Sequence, residues 1–68
     1  MKTNEEIVNK IKDMMFEEHK AIIKCRNLKK ECEQRNDYSG VDIAEIYERR
    51  HGEYYEMLAK LLVFALDD

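Results

Sequence analysis

Apolar side chains recur along this chain at alternating steps of four and three. Ile7, Ile11, Met14, then Glu18, Ala21, Cys25, Leu28 and Cys32 form one such row. That spacing is the stripe an α-helix turns towards a neighbour. "TNEE" precedes the row, with Thr3 placed to cap and Glu6 placed to complete a capping box. Nothing interrupts the pattern before "RNDYSG". A second row runs through Ala44, Tyr47, His51, Tyr54, Leu58, Leu61 and Ala65. Its start signal is "DYSGVDI": Ser39 as N-cap, Asp42 as its box partner, and Tyr38 with Ile43 at the spacing of a hydrophobic staple. The pattern predicts a helix over about 3–35, a short turn near 36–39 and a helix over about 40–66. So short a connection makes the helices antiparallel neighbours. The expected fold is an all-α helical hairpin, one domain over 1–68. A turn centred between Tyr38 and Ser39 sets Glu17 level with Lys60, Lys24 with Glu53 and Lys29 with Glu48, opposite charges at each level.

Two helices cannot enclose a core, since each buries only the stripe that faces the other. Apolar residues remain after that stripe is used. Val8, Met15 and Ile22 form a further row seven apart, with Phe16 and Ile23 beside it, and 58–66 is apolar at every position but Lys60. The surplus predicts a homodimer of hairpins, a coiled-coil-like four-helix bundle. The expected oligomer or partner interface is Ile7, Val8, Met15, Phe16, Ile22, Ile23, Leu58, Leu62 and Phe64. The tyrosines Tyr47, Tyr54 and Tyr55 are the alternative surface. A bundle at this length has the plan of the plasmid regulator Rop, a parallel of architecture alone.

Composition narrows the class. The 68 residues include no proline and no tryptophan, 40% are charged, and the net charge is −3. Long helices fit this mix, and a strongly basic nucleic-acid module does not. Cys25 and Cys32 lie about 10 Å apart on one helix face at ~1.5 Å rise per residue, too far for a mutual disulfide. They are read as reduced thiols of a cytoplasmic protein. The longest apolar run, "LLVFAL" (61–66), is too short to span a bilayer. A chain that starts at Met1 and shows no secretory signal reads as a complete small bacterial or phage gene product, and its Lys/Glu/Ile/Asn-rich composition fits a mobile element.

Three features carry candidate chemistry. Glu48 and His51 form E-x-x-H on one helix face, the motif with which four-helix carboxylate proteins hold two metal ions; the facing glutamate is missing from the levels expected opposite His51. Cys25, Glu48 and His51 form a possible zinc set. Cys25 with His51 as base lacks an oxyanion site. The plainer expectation is that Cys25 and His51 are seam residues, the first acting as a small hydrophobe. Gly52 costs its helix about 1 kcal/mol relative to alanine, which predicts a tyrosine ring or a neighbouring backbone packed close against it. Lys20, Lys24, Arg26, Lys29 and Lys30 form a basic stretch without an acid, joined at the same level by Arg49.

The reading that follows is a regulator, adaptor or inhibitor that binds another protein, with no catalytic residue and no cofactor. The alternative is Rop-like RNA binding through Lys20, Lys24, Arg26, Lys29, Lys30 and Arg49. A metal-binding bundle ranks third.

Overall fold

The computed structural model describes residues 4–67. It is a hairpin of two helices, α1 (Asn4–Gln34) and α2 (Tyr38–Leu66), 51 Å long and 15 Å by 14 Å across. The bounds agree with the sequence pattern to within two residues at each helix end. Thr3, expected to cap α1, lies outside the described residues.

The turn is tighter than expected and starts earlier. Asn36 adopts φ 58°, the left-handed conformation that asparagine tolerates better than most residues. Its N–H donates to the Glu33 carbonyl at 3.1 Å, and the Asp37 N–H donates to the Cys32 carbonyl at 2.8 Å. These two bonds are the Schellman ending of a helix. Asp37 is at once the last residue of that motif and the N-cap of α2, its carboxylate accepting from the Gly40 N–H at 3.0 Å. The cap is therefore Asp37, not Ser39. Ser39 and Asp42 lie inside the helix, and Tyr38 and Ile43 are exposed rather than stapled. Asp37 wins because the Schellman turn has already brought the chain to a capping conformation there.

The hairpin closes on a different side of the predicted stripe. Val8, Ile11, Cys25 and Cys32 of α1 and Ala44 and Leu58 of α2 are the buried residues. With half-buried Met15, Glu18, Ile22 and Lys29, the α1 seam is 8, 11, 15, 18, 22, 25, 29, 32. The α2 seam is 41, 44, 48, 51, 55, 58, 62, 65, all buried or half-buried, with half-buried Glu45, Gly52 and Ala59 along one side of it. Half of each predicted row survives: Ile11, Glu18, Cys25 and Cys32, and Ala44, His51, Leu58 and Ala65. The other half is exchanged for its neighbour. Ile7, Met14 and Leu28 point out, and so do Tyr47, Tyr54 and Leu61. Val8, Met15, Ile22, Leu58 and Leu62, expected at an interface with another chain, belong instead to the intrachain seam. Among the expected interface residues, Ile7, Phe16, Ile23 and Phe64 are exposed.

Both sides of the stripe are apolar enough to close, and the side that closes is the one with complementary charges across it. The side that closes is flanked by cations on α1 and carboxylates on α2. Shifting the centre of the turn also moves the facing partners by about one helical turn. Lys29 meets Glu45, not Glu48, and Arg26 meets Glu48.

Candidate interaction faces and the Glu18–His51 pair

One long face of the hairpin is polar and cross-linked. Arg26 Nε donates to Glu48 Oε1 at 3.0 Å, and Lys29 Nζ lies 2.9 Å from Glu45 Oε1. The Glu45 hydrogen bond and charge raise the Lys29 pKa, and Lys29 in turn lowers that of Glu45. Further from the turn, the His19 and Tyr55 rings meet at 6.5 Å between centroids. They line a shallow groove with Lys12, Met15, Phe16 and Leu62. The Lys20 ammonium sits 4.9 Å from the centre of the Phe16 ring, a cation–π contact.

Gly52 lies on this face, and nothing comes within 4 Å of where its Cβ would be. The expected close approach of a tyrosine ring or a backbone is absent, because Tyr54 points out on the other face and Tyr55 stacks towards α1. The tight glycine is Gly40. A Cβ there would lie 2.6 Å from Cys32 Sγ and 2.7 Å from Asp37 Oδ2.

The opposite face is apolar. In an antiparallel helix pair, residues flanking the same side of both seams come together. Here those residues are Ile7, Met14 and Leu28 from α1 and Tyr47, Tyr54 and Leu61 from α2, each more than 40% exposed. No side chain among the described residues is sealed completely from solvent. The chain exposes 5705 Å². A folded monomer of 8.2 kDa exposes about 4,500 Å² on the usual scaling with mass. The excess, about 1,200 Å², is that of a 51 Å rod over a globule of the same mass: neither helix has a covering layer beyond the other.

Glu18 and His51 stand between the two faces, at the middle of the hairpin. His51 Nδ1 donates to Glu18 Oε2 at 2.5 Å, with both side chains roughly a quarter to a third exposed. The sequence argument placed Glu18 about two turns from His51; the shifted turn shortens that by about one, and the two side chains span the rest along the seam. The signal was available: Glu18 is the one carboxylate in an otherwise apolar half of the α1 row. The pair redistributes the candidate metal set. Glu48 is held by Arg26 and His51 by Glu18, while Cys25 is a free, buried thiol. Among the described residues, no three His, Cys, Asp or Glu side chains are gathered to hold a metal ion.

The basic stretch is partly neutralised. Lys20 pairs with Glu17 at 3.0 Å, and Arg26 and Lys29 carry the partners named above. Lys24, Lys30 and Arg49 are exposed. No described helix is long and apolar enough to cross a membrane. The sequence matches no protein-family model, and comparison with curated proteins and with solved structures gives no match.

Proposed function

We propose that this protein is a non-enzymatic regulator, adaptor or inhibitor that acts by binding another protein, and that its working form is a homodimer of hairpins in the cytoplasm. One observation carries the reading. The chain leaves a continuous apolar face open, with about 1,200 Å² more exposed surface than its mass calls for. Six large apolar side chains, each more than 40% exposed, line that face, and monomeric proteins rarely leave a contiguous apolar face of this kind uncovered. The two free, buried thiols fit a reducing compartment.

The two faces divide the work. The apolar face serves assembly. The groove of Met15, Phe16, Tyr55 and Leu62, flanked by Lys12, is left for a partner that presents an apolar side chain beside an acid. Nucleic-acid binding fits less well, because three of its six candidate contacts are occupied by carboxylates. A phosphate backbone would have to displace them.

The test has two parts. Light scattering after size exclusion is expected to give twice the 8.2 kDa chain mass. Tagged protein is expected to retain the same protein partner from lysate with or without nuclease, and Phe16→Glu is expected to release it. A monomer removes the assembly half of the proposal. Recovery that collapses with nuclease removes the protein-binding half.

A further inference from the structure

The alternating charges on the outer edge of α1 point to a specific way for two hairpins to meet. Next to the row of exposed Ile7, Met14 and Leu28, with half-buried Ala21 in line, lies a row of four exposed charges: Lys10, Glu17, Lys24 and Glu31. Their signs alternate at seven-residue steps. Lys10 and Glu31 are equidistant from the midpoint between Lys20 and Ala21, and so are Glu17 and Lys24. The row is therefore complementary to itself when read backwards. That is what a two-fold axis across α1 demands, since a symmetric interface must match its own reversal.

A second copy can cover the apolar face symmetrically in two ways. With the turns at opposite ends, α1 lies antiparallel on α1 of the other copy and α2 on α2. With the turns at the same end, α1 lies on α2 of the other copy. In the first arrangement, with the axis at the middle of α1, Lys10 faces Glu31 of the second copy and Glu17 faces Lys24. Symmetry makes four such pairs. The apolar row is centred within half a residue of that axis: Met14 meets Leu28 of the second copy, and Ala21 meets Ala21, so the smallest side chain of the row stands where the helices cross. In the second arrangement the same charges face the outer row of α2, which is Ile43, Arg50, Met57 and Phe64. The observed pairing of Arg26 with Glu48 sets the levels, so Lys24 would face Arg50, and neither Glu17 nor Glu31 would face a cation.

We infer that the protein dimerises through its apolar face with the turns at opposite ends, α1 antiparallel to α1 of the second copy, aligned by Lys10–Glu31 and Glu17–Lys24 contacts between copies. This rests on the dimer reading above and adds the face, the direction and the register. Glu17 must exchange its exposed contact with Lys20, which lies on the same helix. Two other polar groups enter the interface: the Glu18–His51 pairs of both copies, within about one turn of the axis. They arrive already hydrogen-bonded to each other, which lowers the cost of covering them.

The test uses the full chain and two charge variants. Lys10→Glu/Lys24→Glu makes the row acidic, and Glu17→Lys/Glu31→Lys makes it basic. Each alone is expected to weaken self-association roughly 10- to 100-fold at low salt, since four exposed attractions become repulsions. Mixed, the two are expected to form a one-to-one heterodimer. Circular dichroism checks that both remain helical. As a readout independent of net charge, Ala21→Cys is expected to cross-link to itself under mild oxidation, while the wild type, with both thiols buried, does not. A dimer whose variants show no preference for each other, and whose Ala21→Cys form does not cross-link, overturns the direction and leaves the dimer reading standing. A wild type that is monomeric at high concentration overturns both.

Discussion

Gly52→Ala offers a direct test of which face of the hairpin is open. A mid-helix glycine costs about 0.8–1.0 kcal/mol relative to alanine, through backbone entropy in the unfolded chain and the missing side chain. The added methyl meets nothing within 4 Å, so no steric cost offsets the gain. Docking of a second copy on the face of Ile7, Met14 and Tyr54 leaves Gly52 on the uncovered side, so the dimer adds no contact there either. Gly52→Ala is therefore expected to stabilise by about 1 kcal/mol per chain. In a domain of this size that corresponds to roughly 4–8 °C in Tm. The measurement is urea unfolding followed at 222 nm, with variant and wild type at equal chain concentration, because apparent stability of an oligomer depends on it. A loss of stability would mean that a backbone or ring approaches Gly52 in the assembled protein. The apolar face would then be the wrong interface, and the glycine would mark the right one.

Three further outcomes follow from particular contacts. Gly40→Ala is expected to destabilise by about 1 kcal/mol or more in the same urea assay, because its Cβ collides with Cys32 Sγ and with the Asp37 carboxylate that caps α2; an unchanged midpoint would show that the cap contributes nothing. Replacing one member of the Glu18–His51 pair by leucine is expected to destabilise more than replacing both, since a single substitution strands the other polar group at the interface, and a double-mutant cycle that adds up independently would show no coupling. The Lys29–Glu45 pair gives a pH dependence. The carboxyl is held below its ordinary value, so its contribution is present above the unfolded pKa of about 4.3 and is lost as pH falls further; the ammonium is held above its own, so its contribution is present below about pH 10.4 and is lost in stronger base. Comparing wild type with Lys29→Met across pH 3–11 should show a small gap, constant in the middle and closing at both ends. Solvent around this exposed pair keeps it small, and a gap that widens in acid would contradict the sign.

The hairpin was legible in the sequence because long three–four periodicity and absent helix breakers leave one architecture. The register was not. Two capping signals compete within four residues, Asp37 with its glycine at the third helical position and Ser39 with its Asp42 partner. Local propensity cannot choose between them; the left-handed Asn36 does, by ending α1 in a Schellman turn that delivers Asp37 to the cap. A shift of two residues in the cap moves every facing pair by about a turn, which is why Lys29 reaches Glu45 and why Glu18 comes within side-chain reach of His51. The side of closure was hidden for a related reason. Rows 7/14/28 and 8/15/22 are equally apolar, and periodicity weighs only apolar content. The charges flanking each row carry the missing information, since Arg26, Lys29, Glu45 and Glu48 can cross-link one side and nothing comparable borders the other.

The division of side chains between the two sides bears on how the chain folds. Half of the inner seam is small or polar (Cys25, Cys32, Ala44, Ala65, Glu18, Lys29, Glu48 and His51), and the other half is Val8, Ile11, Met15, Ile22, Val41, Tyr55, Leu58 and Leu62. The outer rows hold Met14, Leu28, Tyr47, Tyr54 and Leu61, each with more area to lose than the cysteine or alanine beside it. Hydrophobic stabilisation follows the area removed from water, about 25 cal/mol per Å². Closing the hairpin leaves these outer rows in water, and the cross-helix ion pairs add little at this exposure. Two helices of about thirty residues held by so thin a seam are marginal on their own. The seam's task is then one of alignment: the turn, the cap and the Arg26–Glu48 and Lys29–Glu45 pairs fix the register, and the register places both outer rows on one face. On the dimer reading, folding and assembly are a single event, and the polar half of the seam is tolerated because covering the outer rows adds to the stabilisation that the apolar half supplies.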